Sequence, residues 1–375
     1  MLTIQNLTYI HPNKDILFRD ISLVTNKHSK AALIGNNGTG KSTLLKIIAG
    51  ESQPSSGTVK TGSAPYYVPQ LFGQYNHLSV ASALGIGNKL TAMQEILNGN
   101  AAESNLDILD DDWTIEERCQ QALAHWNLGK PDLWQSMQSL SGGEKTKVFL
   151  AGISIHQPQL VLLDEPSNHL DLSGRHLLYE FIRSTSCSLL VVSHDRTLLN
   201  LLDPMYELSR RGIALYGGNY DFYTEQKQLE SNALSEDVRS REKALRRARE
   251  TERETIERQQ KLDARGKKKQ EKAGVPKIMM NTLRNNAERS TSRIKGVQAE
   301  KVDSIAHELT ELRRELPDTD QMKFGFDNSA LHKGKILVEA KDINYRYNSR
   351  LVWRQPLSFQ ITSGERLTLK GSNGS

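Results

Sequence analysis

Eight consecutive residues, Gly35-Asn36-Asn37-Gly38-Thr39-Gly40-Lys41-Ser42, have the types and spacing needed to hold a chain of phosphates. Glycines let successive backbone N–H groups curl around phosphate oxygens at a helix N-terminus, a lysine reaches the outer phosphates and a hydroxyl ligates a divalent cation. Lys41 is expected on the β/γ-phosphates and Ser42 on Mg²⁺, with Thr43 following in the first helical turn. A chance Gly-rich turn is the competing reading. The flanks argue against it, because apolar Ala31–Ile34 reads as a strand and Thr43–Ala49 as a helix. A second candidate is Leu160-Val161-Leu162-Leu163-Asp164-Glu165, an apolar run ending in two carboxylates, as a buried parallel strand with an active C-terminal end would be. Asp164 is expected on the Mg²⁺ side, directly or through water, and Glu165 is expected to orient or deprotonate an attacking water. By itself the pair equally fits a strand end running into an acidic helix start. A third strand, Leu189–Val192, ends in Ser193-His194-Asp195, where a histidine is more often a loop or capping residue than a catalytic one. Gln70, after Tyr67-Val68-Pro69, is unremarkable alone.

Elements enough to position such groups are available. The chain has 375 residues, 37% hydrophobic and 25% charged, ordinary for a globular protein and enough for two or three units at about 150 residues each. The longest apolar runs, such as Leu189-Leu190-Val191-Val192, fall far short of a membrane span. The first ten residues, MLTIQNLTYI, lack the basic and apolar regions of a secretory signal. Cys119 and Cys187 have no partners at metal-ligand spacing, which argues against a disulfide framework or structural zinc and predicts a cytoplasmic protein. The net charge of +5 is local. Residues 258–295 hold 12 Lys and Arg against 3 Asp and Glu. That segment overlaps the end of a stretch free of Pro and Gly from Glu225 to about Arg265, which predicts a long helix, broken near Gly266, Gly274 and Pro276. A second helix carries Val302, Ile305, Leu309, Leu312 and Leu316 as a seam and ends at Pro317. Facing it, Ala233, Ser240, Ala244, Ala248 and Thr251 suggest an antiparallel hairpin with a basic tip. A solvated linker pair that binds nothing is the plain alternative. The charge imbalance favours a polyanion.

The order of motifs narrows the reading. Leu140-Ser141-Gly142-Gly143-Glu144 opens a helix about twenty residues before the Asp164–Glu165 strand. With the Gly-rich loop before it and the His194 strand after it, residues 1–223 resemble the nucleotide-binding domain of ABC ATPases. The resemblance implies an α/β P-loop fold with a helical subdomain, and ATP with Mg²⁺ as cofactors. It also assigns roles to single residues. Tyr9 matches the adenine-stacking aromatic, Gln70 the glutamine sensing the γ-phosphate and Mg²⁺, and Ser141, Gly142 and Gly143 the signature loop. Asp171 matches the D-loop aspartate and His194 the switch histidine.

An internal repeat extends the argument. At an offset of 336, Leu7, Tyr9, Ser22, Lys30 and Leu33 meet Ile343, Tyr345, Ser358, Arg366 and Leu369, and Gly35, Asn37 and Gly38 meet Gly371, Asn373 and Gly374. Three parts are expected: an ATPase domain (1–223), a basic helical hairpin (224–317) and the start of a second ATPase domain (318–375), cut within its loop. Two such domains joined by a charged helical linker resemble the ABC-F translation factors, as do the phrases Asp164–Asp171 and Tyr216–Tyr223. That resemblance implies a ribosomal partner, rRNA and P-site tRNA reached by residues 258–295, in stalling relief or antibiotic resistance. Because each ATP in the family is sandwiched between the Gly-rich loop of one domain and the signature of another, this chain is expected to hydrolyse ATP poorly unless two copies pair. A transporter's ATPase subunit and a DNA-engaging ABC ATPase are the alternatives.

Overall fold

The computed structural model describes all residues except 130, 210, 273–276, 316–330, 348–349 and 369–375. Side chains at 263, 266–267, 269–291, 294, 315, 347 and 350 are likewise outside the description. The basic tip therefore falls largely outside the described residues, as does the Gly-rich stretch Gly371–Gly374.

Strands β1 (Leu2–Ile10), β2 (Ile16–Thr25) and β3 (Lys30–Ile34) lead into helix α1 (Lys41–Ile48), followed by β4 (Ser56–Thr61) and β5 (Tyr66–Val68). A helical stretch follows, with α2 (Val80–Ala83), α3 (Gly87–Leu97), α4 (Glu103–Leu109), α5 (Ile115–His125) and α6 (Gly142–His156). The chain then runs through β6 (Leu160–Asp164), α7 (Leu172–Ser184), β7 (Ser188–Val192), α8 (Arg196–Leu199), β8 (Met205–Ser209) and β9 (Gly212–Tyr216). Two long helices, α9 (Tyr220–Lys272) and α10 (Lys277–Glu315), precede β10 (Ile336–Ile343), β11 (Arg346–Tyr347), β12 (Arg350–Leu351) and β13 (Leu357–Thr362).

The central sheet has the order β5-β6-β7-β3-β8-β9, parallel except for β9, which runs antiparallel to β8. Alternation along each strand feeds two cores, as strands covered on both faces require. Val161 and Leu163 of β6 pack with the helical stretch, whereas Leu160 and Leu162 pack with α1 and the antiparallel sheet β2-β1-β4. Leu189 and Val191 of β7 and Ala32 of β3 face the first core; Leu190, Val192 and Leu33 face the second. The C-terminal ends of β3, β6 and β7 thus emerge side by side, where open α/β sheets bind ligands.

Contacts divide the chain into Thr224–Phe326 on one side and Met1–Tyr223 with Asp327–Ser375 on the other. In the helical unit, α9 is longer than the sequence suggests: it runs through Gly266 to Lys272, 53 residues in all. A lone glycine costs a helix only about 1 kcal/mol, which the surrounding Lys, Arg, Gln and Glu absorb. Ion pairs Arg241–Glu308 (3.0 Å) and Arg313–Glu242 (2.6 Å) tie the helices antiparallel. On α10, Val302, Ile305, Leu309 and Leu312 form the expected seam, with Leu309 5% exposed. On α9 the seam is larger than expected. Leu234, Val238, Leu245, Ala248 and Ile256 turn inward, while Ala233, Ser240 and Thr251 are exposed. Leucine and valine bury more apolar area at the same face, so they displace the small residues from it.

The repeat holds to the level of register. Leu2↔Thr25, Ile4↔Leu23 and Leu7↔Ile21 pair across β1 and β2, and Val338↔Ile361, Ala340↔Phe359 and Ile343↔Leu357 pair across β10 and β13. Asn6 and Asp342 both adopt a left-handed backbone (φ 49° and 51°), and each donates its N–H to a serine hydroxyl, Ser22 or Ser358.

Candidate functional site

Local chemistry shapes the Gly-rich loop. Gly35 has φ 150°, and a side chain there would put Cβ 2.2 Å from the Leu208 carbonyl oxygen of β8. Gly40, at φ 98°, caps α1 with a left-handed turn, and a Cβ would press on Leu17 at 2.7 Å. The loop therefore closes tightly over the end of β3. Lys41 folds back into it, its Nζ donating to the carbonyls of Gly35 (2.7 Å) and Asn36 (3.1 Å). Burial pulls the Lys41 pKa down, opposed by the carboxylates of Glu165 and Asp164.

Those carboxylates end β6. Asp164 is 1% exposed and accepts from Ser42 Oγ on Oδ1 (3.1 Å) and from Tyr67 OH on Oδ2 (3.2 Å). Burial raises its pKa, and the two hydroxyls and nearby lysines oppose the rise. At Glu165 the chain turns sharply, with φ 50° and its N–H donating to Val192 O at 2.8 Å. The Glu165 side chain is 6% exposed. Its Oε2 accepts the His194 N–H at 3.2 Å; its Oε1 has no hydrogen-bond donor and lies 3.3 Å from His194 Nε2. Burial also raises the Glu165 pKa, against the pull of His194. The His194 side chain is 61% exposed. Its loop is held by Asp195, which caps α8 and accepts from Tyr179 OH.

These groups line one cleft of about 520 Å³, a size suited to a nucleotide. Asn37, Gly38, Gly40, Lys41, Ser42, Thr43, Gln70, Asp164, Glu165 and His194 all line it. Gly35, Asn36 and Thr39 build the loop behind, Thr39 Oγ1 donating to Asn36 O at 2.9 Å.

The ABC transporter family model matches residues 18–168. Residues 18–168 have the ABC ATPase fold. Among relatives of this chain, an ATP-binding protein Uup of Caulobacter vibrioides is 29% identical over 96% of this chain and 49% of its own length. A tylosin resistance ATP-binding protein TlrC of Streptomyces fradiae is 31% identical over 57% of this chain and 44% of its own. An ABC transporter F family member 2 of Arabidopsis thaliana is 30% identical over 65% and 34%. The chain thus spans between a third and a half of the length of these relatives.

Five residues assigned from the resemblance lie outside the cleft's lining. Ser141 caps α6 in a capping box with Glu144, accepting from Glu144 N at 3.3 Å while its own N–H reaches Glu144 Oε2 at 2.8 Å. Ser141 and Gly142 are exposed there, and Gly143 is buried. Asp171 caps α7 and pairs with the buried Lys147 of α6 at 3.8 Å. Tyr9 is also absent from the lining. The ring at that wall is His11, which Tyr9 meets edge-on at 5.5 Å, with Leu17 beside it. The sequence reading missed His11, Leu17, Asn168 and Val192. His11 lies just past the end of β1, two residues after Tyr9, where no motif marked it. Among the described residues no helix is long and apolar enough to cross a membrane.

Proposed function

We propose that the cleft binds ATP with Mg²⁺ and that the cassette hydrolyses it once the signature loop of another cassette closes the site. The observation that carries the reading is the convergence of Lys41, Ser42, Asp164, Glu165 and His194 on one cleft. The donor set suits Mg²⁺, which takes one or two carboxylates and leaves positions for phosphate oxygens and water. Ser42 and Asp164 would hold it, with Gln70 at the cleft edge, and bound Mg²⁺ would neutralise charge on the phosphates. Lys41 is poised to exchange its two loop carbonyls for phosphate oxygens. His11 and Leu17 provide the wall for the base. Glu165 keeps an undonated oxygen at a buried position with a raised pKa, the properties of a group that orients and deprotonates water. His194 holds that carboxylate from the open side.

Ser141, Gly142 and Asp171 lie outside the cleft's lining, which supports a sandwich in which a second copy or another cassette presents its signature to the bound ATP. Turnover per chain is then low in dilute solution and rises with chain concentration.

The work driven by ATP is assigned to the ribosome, in the cytoplasm, through the helical unit. Residues 258–295, with 12 basic and 3 acidic side chains, suit rRNA and tRNA. The names of the relatives, a tylosin resistance protein and an F family member, favour the same reading and its antibiotic branch. The test is cosedimentation of the 375-residue Glu165→Gln chain with ribosomes in ATP–Mg²⁺, beside duplex DNA. Binding to ribosomes that weakens steeply with salt supports the proposal; preference for DNA overturns it.

A further inference from the structure

Asp164 is buried at the end of β6, and its two oxygens are held by different elements. Ser42 of α1 donates to Oδ1 and Tyr67 of β5 donates to Oδ2. We propose that Tyr67 is a positioning residue for the cation site: its hydroxyl fixes the rotation of the Asp164 carboxylate and so keeps Oδ1 turned toward Ser42, where Mg²⁺ enters with ATP. The inference rests on the ATP–Mg²⁺ reading above.

Torsion about the bond to a carboxylate is broad and roughly two-fold, so one hydrogen bond leaves the group free to swing. A second donor on the other oxygen removes that freedom, and inside a 1%-exposed site no water shell replaces it. The Tyr67 hydroxyl is a dependable donor. A phenol hydroxyl keeps its proton at neutral pH and donates it to the carboxylate. Position matters as well. Tyr67 stands three residues before Gln70, on a strand in parallel register with β6 (Tyr67↔Leu162), so it links the strand that leads to Gln70 to the carboxylate. Tyr66 offers a matched comparison. As alternation along the strand requires, it faces the other core, and its hydroxyl donates to Phe149 O at 3.0 Å, away from the cleft.

The test titrates MgCl₂ into the 375-residue chain at fixed ATP by calorimetry, comparing the parent, Tyr67→Phe and Tyr66→Phe. Tyr67→Phe is expected to raise the half-saturating Mg²⁺ concentration roughly tenfold, near the low end of what a hydrogen bond to a charged group is worth. ATP affinity without the metal, and both quantities in Tyr66→Phe, stay within about twofold of the parent. An unchanged or lowered Mg²⁺ requirement in Tyr67→Phe overturns the proposal, as does an equal effect in Tyr66→Phe. The rise in melting temperature caused by Mg²⁺ at fixed ATP is a difference within one variant, so it remains readable if Tyr67→Phe is less stable. That rise should shrink in Tyr67→Phe, and a full parental rise sinks the idea. A parent chain showing no Mg²⁺-dependent ATP binding would instead refute the reading of the cleft itself.

Discussion

Two glycines of one loop should respond very differently to the same substitution. At Gly38 an added Cβ meets nothing within 4 Å, and the only penalty of Gly38→Ala is the left-handed backbone at φ 80°. For alanine that costs about 1–2 kcal/mol. At Gly35 the backbone is also unfavourable, at φ 150°, and the Cβ falls 2.2 Å from the Leu208 carbonyl oxygen. Relief of that overlap needs a shift of about 1 Å between loop and β8, and forced overpacking typically costs 1–3 kcal/mol or more. The site cannot give easily, because Leu33↔Tyr206 and Ile34↔Glu207 pair β3 to β8 directly beside it. Gly35→Ala should therefore cost about 2–5 kcal/mol in total. The assay is urea denaturation without nucleotide, so that contact between Gly38→Ala and phosphate plays no part, followed by ATP binding to whatever remains folded. Gly35→Ala should lose at least about 1 kcal/mol more than Gly38→Ala. Equal losses, or a larger loss at Gly38, would refute the packing argument.

Three other expectations can be checked directly. Because burial raises the Glu165 pKa in the fold, the stability tied to that group is present below its unfolded pKa and is lost as pH rises through the folded one. Glu165→Gln should therefore raise the melting temperature at pH 8, with the gain vanishing toward pH 4; a gain confined to low pH contradicts the assignment. His11→Ala should weaken ATP binding by about tenfold, on the scale of a lost ring contact, and Tyr9→Ala by less, as read by calorimetry. In the helical unit, Leu309→Ala should cost about 2–3 kcal/mol by thermal melting because Leu309 is 5% exposed. Arg313→Ala breaks a pair whose side chains are 57% and 45% exposed, so it should cost under about 1 kcal/mol.

Much of this was legible because the signals are local. The Gly-rich loop, the β6 carboxylates and the His194 strand each announce their geometry through neighbouring residues, and the sheet brings them together as parallel strand ends must. The repeat was legible down to register, since offset 336 carries over the pairing and even the left-handed turn at Asn6 and Asp342. What escaped depended on tertiary choice. Tyr9 lies on β1 and His11 just past its end, in the turn closed by His11 N–H to Asp15 O, and that turn brings the His11 ring to the cleft. Ala233 lay on the seam read from the sequence, whereas Val238 is the residue buried, because the larger side chain removes more apolar area from water. The support of Asp164 by Tyr67 had no sequence signal, because nothing in Tyr66-Tyr67 says which hydroxyl turns toward β6.

The central claim is that the cleft holds ATP–Mg²⁺ and that Glu165 acts on the water. Measuring ATP retention together with phosphate release, for the parent and Glu165→Gln over a range of chain concentrations, tests it most directly. The account predicts equal ATP binding by both, phosphate release from the parent that rises per chain with concentration, and release from Glu165→Gln reduced at least about 100-fold with ATP retained. Parental release from Glu165→Gln, or no ATP bound by either chain, would contradict it.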